Sequence, residues 1–452
     1  MNLKNKNILL VGLAKTGVST IKLLDKLGAN IIVNDIKDEE KLKDILTELK
    51  DIKNAEYILG YHPKNVNHID LAVVSPGVPL HLPFILKLKE EKIEIIGEVE
   101  LAYRLSKNPL FIGITGTNGK TTTTSLVGEI FKEAKRDTYI VGNIGNPVIE
   151  TVEHTDENSV LVTELSSFQL ESIVDFKPKV SAVLNLSPDH LNRHHTMENY
   201  IEAKGNIFKN QDKYDFTVLN YDDEQVRVLQ SKCKGKVIFF SRKEKLDEGV
   251  YLDADNNIVI DIDEKIVLLN KKELSLPGGH NLENCMAAIA MSYVCNVDLN
   301  TLKHVLKTFK AVEHRLEYVK TLNDIMFVND SKGTNPDSTI KAVQSYESPV
   351  ILIAGGYNKD SDYNELLEIS KDNVKALVLM GETADTIEEC AKTKGYKTII
   401  RVSNMKEAVE ASYDLAKKGD VVLLSPACAS WDMYKSFEVR GNDFKENVNN
   451  LK

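Results

Sequence analysis

Residues 113–124 read GITGTNGKTTTT and follow directly on the apolar stretch PLFI at 109–112. The order predicts a strand, a glycine-rich turn, and then a helix that opens on Lys120 and a run of threonines. Glycine at 113, 116 and 119 lets backbone N–H groups turn inward with no Cβ in the way. Such groups, with a helix N-terminus behind them, cradle anionic oxygens. In a phosphate loop the lysine reaches the β- and γ-phosphates and the next hydroxyl sits on magnesium, roles that fall here on Lys120 and Thr121. The strict G-x-x-x-x-G-K-[ST] spacing is not met, because its first position is Ile114; the spacing is G-x-x-G-x-x-G-K-T. An ordinary tight strand–helix turn is the bland alternative, and it leaves the joint placement of strand, helix, lysine and threonine unexplained.

Outward from this loop, short apolar runs alternate with helical stretches, which predicts an α/β fold in three domains. Residues 1–107 read as a doubly wound, Rossmann-like domain with strands in NILLVGL, NIIVND, LAVVSPG and IEIIGE, closed by a linker at SKNP. Residues 108–310 read as a central P-loop ATPase-like α/β domain with later strands in VLVTEL, VSAVLNL and FTVLN. Inside it KVIFFS, GVYLDADNNIVI and KIVLLNKKELSL predict a small antiparallel β patch, and GGHNLENCMAAIAMSYV an apolar helix. Residues 311–452 read as a C-terminal Rossmann-like α/β domain with strands in MFVNDS, VILIAGG, ALVLMG, TIIRV and VVLLSPA, and a polar helical end.

Composition is consistent with this. At ~100–200 residues per domain, 452 residues make about two to four domains. The net charge of −10 argues against a general nucleic-acid binder, which carries a basic face. No apolar run approaches the ~20 residues of a membrane span. The N-terminal MNLKNKNILLVGLAKTG faintly mimics a signal peptide, but Lys15 interrupts it and no small-residue cleavage site follows. The five cysteines are scattered with no C-x-x-C pair, so neither a disulfide framework nor a zinc site is indicated. A cytoplasmic protein without nucleic-acid or membrane partners is expected.

Two further stretches carry chemistry. TELSSFQLE ends a strand on Glu164, a good place for a carboxylate facing a metal. SPDHLNRH ends another and sets Asp189, His190, Arg193 and His194 in a loop. Ligands of open α/β sheets sit at such strand ends. A lone histidine is more often structural or superficial; beside a phosphate loop and Glu164, His190 is read as a metal or substrate group.

With these residues in view the chain resembles the Mur ligases, ATP-dependent amide ligases that build the peptide stem of peptidoglycan. GITGTNGKTT, TELSSFQLE, DHLNRH, AKGNIF, GGHNLENCMAA, EHRLE and NDSKGTNPDST match that family in order, across essentially the whole chain. LLSPACASWDMYKSFEVRG and the TELSSFQLE block look most like members that add D-glutamate to UDP-N-acetylmuramoyl-L-alanine. The resemblance implies that ATP phosphorylates the substrate carboxylate to an acyl phosphate. The amino acid's amine then attacks, and a tetrahedral intermediate collapses to an amide with release of ADP and phosphate. Most of that work is positioning and charge neutralisation.

Residue by residue, the resemblance implies an ATP-binding set of Gly116, Thr117, Asn118, Gly119, Lys120, Thr121 and Thr122. Asn281 and Asn284 would meet the adenine and ribose, Arg315 the γ-phosphate, and Asp330 the ribose. Without the family, Asn281 and Asn284 read as a helix start and a surface amide. Two magnesium ions would take Thr121, Glu164, His190 and a carbamate on Lys204 as ligands. Lys204 alone reads as a helix-surface lysine. The UDP-substrate set is Lys15, Thr16, Gly17, Asp35, Ser75, Gly77 and Asn143; the D-glutamate set is Lys332, Thr334, Lys359, Ser430 and Phe437. Lys120, Glu164, His190, Lys204 and Arg315 form the catalytic group, in a monomer whose linkers near 107 and 310 let the domains close.

Several readings compete. VGLAKTG is a near-match to a dinucleotide fingerprint, with Asp35 ending the next strand, and read alone it suggests an NAD-dependent oxidoreductase. Ala14 replaces the glycine that lets a pyrophosphate approach, and that reading leaves the ATP constellation unexplained. A non-enzymatic nucleotide switch would not need Lys120, Glu164, His190 and Lys204 together. Another Mur-type or folylpolyglutamate-type ligase differs only in its amino acid. Two departures from the family pattern stand out: Trp431 where a smaller aliphatic residue is expected, and an extra histidine, His195.

Overall fold

The structure is a computed structural model. It describes every residue except Lys64, Asn67, Pro277, Ala311, Val312, Glu347, Asp360 and Lys452, and of Asn192 the backbone only. The fold is three-domain α/β, built on sheets of five, nine and six strands. The chain divides into two compact units, Met1–Glu273 with Glu283–Val305, and Leu274–Leu282 with Leu306–Lys452. The expected start of the third domain, Ala311, lies outside the described residues.

The first sheet holds β1 (Asn7–Val11), β2 (Asn30–Asp35), β3 (Ala55–Leu59), β4 (Leu71–Val74) and β5 (Glu94–Gly97). All are parallel, in the order β3-β2-β1-β4-β5. β1 and β4 are buried almost throughout, as expected of unbroken apolar runs covered on both faces. The edge strand β3, sequence AEYIL, was not anticipated: it is only half-buried and its apolar signal is weak.

The second sheet holds β6 (Leu110–Thr115), β7 (Thr138–Gly142), β8 (Val160–Glu164), β9 (Val180–Val183), β10 (Phe216–Asn220), β11 (Lys236–Ser241), β12 (Gly249–Leu252), β13 (Asn257–Asp261) and β14 (Lys265–Asn270). Their order is β14-β13-β12-β11-β10-β9-β6-β8-β7. β6 therefore lies between β8 and β9, with Ile114 opposite Glu164 and Thr115 opposite Val183. This register brings the phosphate loop, Glu164 and the segment after β9 to one edge, at the point where the strand order reverses.

The antiparallel patch is narrower than expected. KVIFFS is a parallel strand, β11, paired with β10 and β12, and only β12–β13–β14 run antiparallel, as a continuation of the same sheet. Short β runs with turn signals read alike whether they pair parallel or antiparallel. The β7 strand was also missed in sequence. Tyr103, Phe111 and Phe176 meet edge-on with centroids 5.5 Å apart, joining the last helix of the first sheet to β6. Each such pair adds about 0.5–1.5 kcal/mol beyond area burial.

The third sheet holds β15 (Glu317–Leu322), β16 (Ile325–Asn329), β17 (Val350–Ala354), β18 (Val374–Leu379), β19 (Ile399–Arg401) and β20 (Val421–Leu424), ordered β15-β16-β20-β17-β18-β19. Only β15 is antiparallel. Its alternating, half-buried EYVKTL marks an edge and was not singled out in sequence. Asn329 and Ile353 both stand opposite Leu424, so the loops after β16, β17 and β20 emerge side by side. The helix Phe437–Asn450 closes the chain. Among the described residues no helix is long and apolar enough to cross a membrane.

Candidate active site

The loop after β6 has the form the glycines demand. Gly116 lies at φ 151° and Gly119 at φ 80°, where a side chain is strained. A Cβ on Gly119 would lie 2.2 Å from Oδ1 of Asn284, and one on Gly116 3.1 Å from the Leu184 Cβ. The helix Lys120–Glu133 starts at Gly119 with no side-chain cap and no acidic residue in its first turn. A helix start of this kind presents its positive dipole end to an anion. The loop is braced from behind. Asn185 accepts from the Asn118 N–H at 2.8 Å and donates to its carbonyl at 3.0 Å, and the Thr117 hydroxyl lies 3.1 Å from that of Tyr200. Sequence reasoning named neither Asn185 nor Tyr200.

Two lysines converge on this loop. Lys120 Nζ donates to the carbonyls of Gly116 and Thr117, both at 2.8 Å. Lys204 Nζ donates to the same Gly116 carbonyl at 2.7 Å and lies 4.7 Å from the Tyr200 ring centre. Lys204 is 2% exposed, so the surface reading is wrong and the position implied by the family stands inside the site. Burial, with the Lys120 charge second, holds its ammonium well below the ordinary lysine range. The Thr196 hydroxyl caps its helix by accepting from Asn199 N.

Glu164 is 1% exposed. Its Oε1 accepts from Asn143 Nδ2 at 2.8 Å, while its buried Oε2 has no hydrogen-bond partner among the described residues. A buried carboxylate oxygen left unsatisfied is costly unless a cation meets it. Just beyond, Ser166 and Gln169 form a capping box that turns the chain away from the strand end.

His190 follows Asp189 at φ 54° and is partly exposed, its ring 4.8 Å from that of Phe168. His194 is buried, with Nε2 2.9 Å from the Ser167 hydroxyl, and burial lowers its pKa. Arg193 donates to the carbonyls of Gly77 and Val78 at 3.3 and 3.1 Å and pairs with Glu171 at 2.8 Å. It fastens the 75–79 loop of the first sheet to the TELSSFQLE segment, a link sequence reasoning missed. His195 lies 6.0 Å, ring to ring, from His81.

In the first sheet, the turn after β1 is packed closely. A Cβ on Gly12 would lie 2.8 Å from that of Ser75, and Ser75 Oγ donates to the Gly12 carbonyl at 2.7 Å. Asp35 accepts from Leu13 N at 2.6 Å and Lys37 N at 2.8 Å. The helix Lys15–Lys26 begins without a side-chain cap or an acidic first turn; Thr16 and Gly17 lie in that turn. Lys15 Nζ reaches the Gly145 carbonyl at 3.0 Å, and Gly77 leaves open space around its Cα.

In the second unit, Asp330 is 1% exposed. It accepts from Ser425 Oγ at 2.7 Å, with Arg315 Nη1 3.9 Å away, and burial lifts its carboxyl to about 6 against the pull of Arg315. Lys332 Nζ lies 5.4 Å from the Phe437 ring centre. Thr334 comes just before Asn335, which caps the helix Pro336–Val343. Arg440 is buried and donates to the carbonyls of Cys428, Ala429 and Ser331, binding the loops after β16 and β20. Ser430 is buried, and Lys359 is exposed with its Nζ 5.2 Å from the Trp431 ring centre. Asn281 stands in the first turn of the helix Gly279–Tyr293, and Asn284 is buried rather than the surface amide that spacing alone suggests.

Comparison with known proteins places this geometry. Residues 6–97 match the Mur ligase MurD-like N-terminal domain, 114–292 the Mur ligase middle domain, and 314–428 the Mur ligase glutamate ligase domain. The chain is 70% identical over 452 residues, all of both chains, to a UDP-N-acetylmuramoylalanine--D-glutamate ligase of Clostridioides difficile. It is 52% identical, again over all of both chains, to the protein of that name from Alkaliphilus oremlandii. Among solved structures, MurC from Thermotoga maritima superposes with TM-score 0.59 at 20% identity, covering 99% of this chain and 100% of that one. MurF of the same organism in complex with ADP gives 0.60 at 17%, covering 99% and 96%. At such identities the structures speak for the fold; the full-length relatives and the domain matches establish that the chain belongs to the Mur ligase family.

Proposed function

We propose that this protein joins D-glutamate to UDP-N-acetylmuramoyl-L-alanine at the expense of ATP, releasing ADP and phosphate, in peptidoglycan precursor synthesis. The observation that carries the reading is 70% identity along the whole chain to a UDP-N-acetylmuramoylalanine--D-glutamate ligase. It acts as a monomer in the cytoplasm. Residues 1–107 hold the UDP part of the substrate, 108–310 the ATP, and 311–452 the amino acid.

Each group has a task that its surroundings support. The turn formed by Gly116, Thr117, Asn118 and Gly119, with Lys120, Thr121 and Thr122, holds the ATP phosphates. Asn281 and Asn284 hold the base and sugar with Asp330, and Arg315 stabilises charge on the transferring phosphoryl group. Thr121, Glu164, His190 and a carbamylated Lys204 would hold two magnesium ions; Glu164 Oε2, buried and without a hydrogen-bond partner among the described residues, supports this reading. Magnesium there supplies charge neutralisation on phosphate and acyl oxygens. Burial lowers the pKa of Lys204 and so favours the neutral amine from which a carbamate would form, and a carbamate would turn it into a hard oxygen ligand. Lys15, Thr16, Gly17, Asp35, Ser75, Gly77 and Asn143 orient the UDP substrate. Lys332, Thr334, Lys359, Ser430 and Phe437 grip D-glutamate and aim its amine.

The test is phosphate release from ATP and magnesium with UDP-N-acetylmuramoyl-L-alanine, supplying D-glutamate, L-glutamate, L-alanine or a diamino acid in turn. Release that needs both substrates and prefers D-glutamate is expected. Preference for another amino acid would move the enzyme to a different step of the family's chemistry.

A further inference from the structure

Trp431 is the only tryptophan in the sequence and is 63% exposed, at the end of the buried loop after β20. A large aromatic side chain placed there offers its indole face to neighbouring rings and cations. Its ring packs at 5.6 Å and 56° against Tyr357, itself 38% exposed. The Lys359 ammonium stands 5.2 Å from its ring centre, inside the ~6 Å at which an indole face attracts a cation.

The arrangement is set by the backbone. Tyr357 N donates to the Ala429 carbonyl at 2.9 Å in an isolated antiparallel bridge between the loops after β17 and β20. Gly356 allows this approach, since a Cβ there would lie 2.3 Å from the same carbonyl. The Glu382 N–H donates to Asp432 at 3.0 Å and ties the loop down on its other side. These contacts tie the loops together and set the spacing of the residues they carry.

Among the described residues no carboxylate pairs with Lys359. A cation held against a ring face keeps its three N–H donors, whereas one held by a carboxylate is already neutralised.

We infer that Trp431 is a positioning residue for the amino-acid substrate: its indole face, braced by Tyr357, holds the Lys359 ammonium ready for a carboxylate of an incoming dicarboxylic amino acid. The inference rests on the proposal that Lys359 grips D-glutamate. It makes Trp431 act on the affinity for one substrate and leave phosphoryl transfer alone.

The experiment uses the full-length enzyme with saturating ATP and UDP-N-acetylmuramoyl-L-alanine and titrates D-glutamate. Trp431→Leu is expected to raise KM for D-glutamate about two- to five-fold, the worth of an exposed cation–ring contact. Its kcat and its KM for ATP should stay within about two-fold, and Trp431→Phe should restore part of the affinity. As the sole tryptophan, residue 431 also reports directly: D-glutamate should shift its emission in the wild type, and Lys359→Met should change the resting emission and abolish that shift. An unchanged KM in Trp431→Leu, with Lys359→Met impaired, overturns the role of Trp431 and leaves the glutamate site standing. An unchanged KM in Lys359→Met overturns both. Emission indifferent to D-glutamate overturns the placement of the indole at the site.

Discussion

The protein contains the same local device twice. After β1 and again after β6, a parallel strand runs into a glycine turn and an uncapped helix without acids in its first turn. Around the first turn stand an exposed Lys15, bonded to a single carbonyl, and an Asp35 occupied with backbone N–H groups. Around the second stand two lysines on one carbonyl, a buried carboxylate with an unsatisfied oxygen, and a backing of Asn185 and Tyr200. A strand–turn–helix is enough to hold a phosphate. Breaking a bond to one takes buried charge of both signs, held still.

The largest effect should fall on the second turn. Lys120→Ala and Lys204→Ala should each lower kcat by at least about 10²–10³-fold, the scale of losing one preorganised electrostatic group. Short carboxylic acids should restore part of the Lys204→Ala loss if an oxygen ligand is what that position supplies. A Lys204→Ala enzyme with full activity would erase the contrast between the turns.

The next effect concerns the joint between the two sheets. Glu98 is 3% exposed, accepts from Ile149 N at 2.6 Å, and burial lifts its pKa to about 7 from 4.5. The fold thus favours the protonated acid. Its contribution to stability is present in full below about pH 4.5 and is lost as pH rises through about 7, by roughly 3 kcal/mol at most. Urea titrations of Glu98→Gln between pH 5 and 8 should lack that part of the slope. A variant as pH-sensitive as the wild type would show that Glu98 stays ionised.

The smallest effect belongs to the first turn. Lys15→Ala should raise KM for the UDP substrate about two- to five-fold with kcat unchanged, as befits an exposed ionic contact. A kcat loss matching that of Lys120→Ala would mean that the two turns do equivalent work.

Much of this was legible in the sequence. Buried parallel strands announce themselves as apolar runs, and the strand-end placement of the glycine turn, of Glu164 and of the segment carrying His190 could be read from residue type and order. The half-buried edges β3 and β15 could not, because exposed faces dilute the apolar signal. Lys204 was invisible to periodicity: a lysine on a helix is normally solvated, and only the family pattern placed it inside. Asn185, Tyr200, Arg193 and Arg440 act through carbonyls and neighbouring side chains brought close by sheet order, and no local spacing records such contacts.

The position of Asn284 against Gly119 has a consequence for how the chain is made. The phosphate loop emerges from the ribosome early, yet the residue that packs on it follows about 165 residues later. At about 5–20 residues per second, that is roughly 8–30 seconds during which the loop exists without its final neighbour. Its flanking strand β6 also waits for β8 and β9 before it has partners on both sides. A nascent chain stalled before residue 284 should therefore carry a largely paired central sheet and a nucleotide loop still unfinished, so that the capacity to engage ATP arrives late in synthesis.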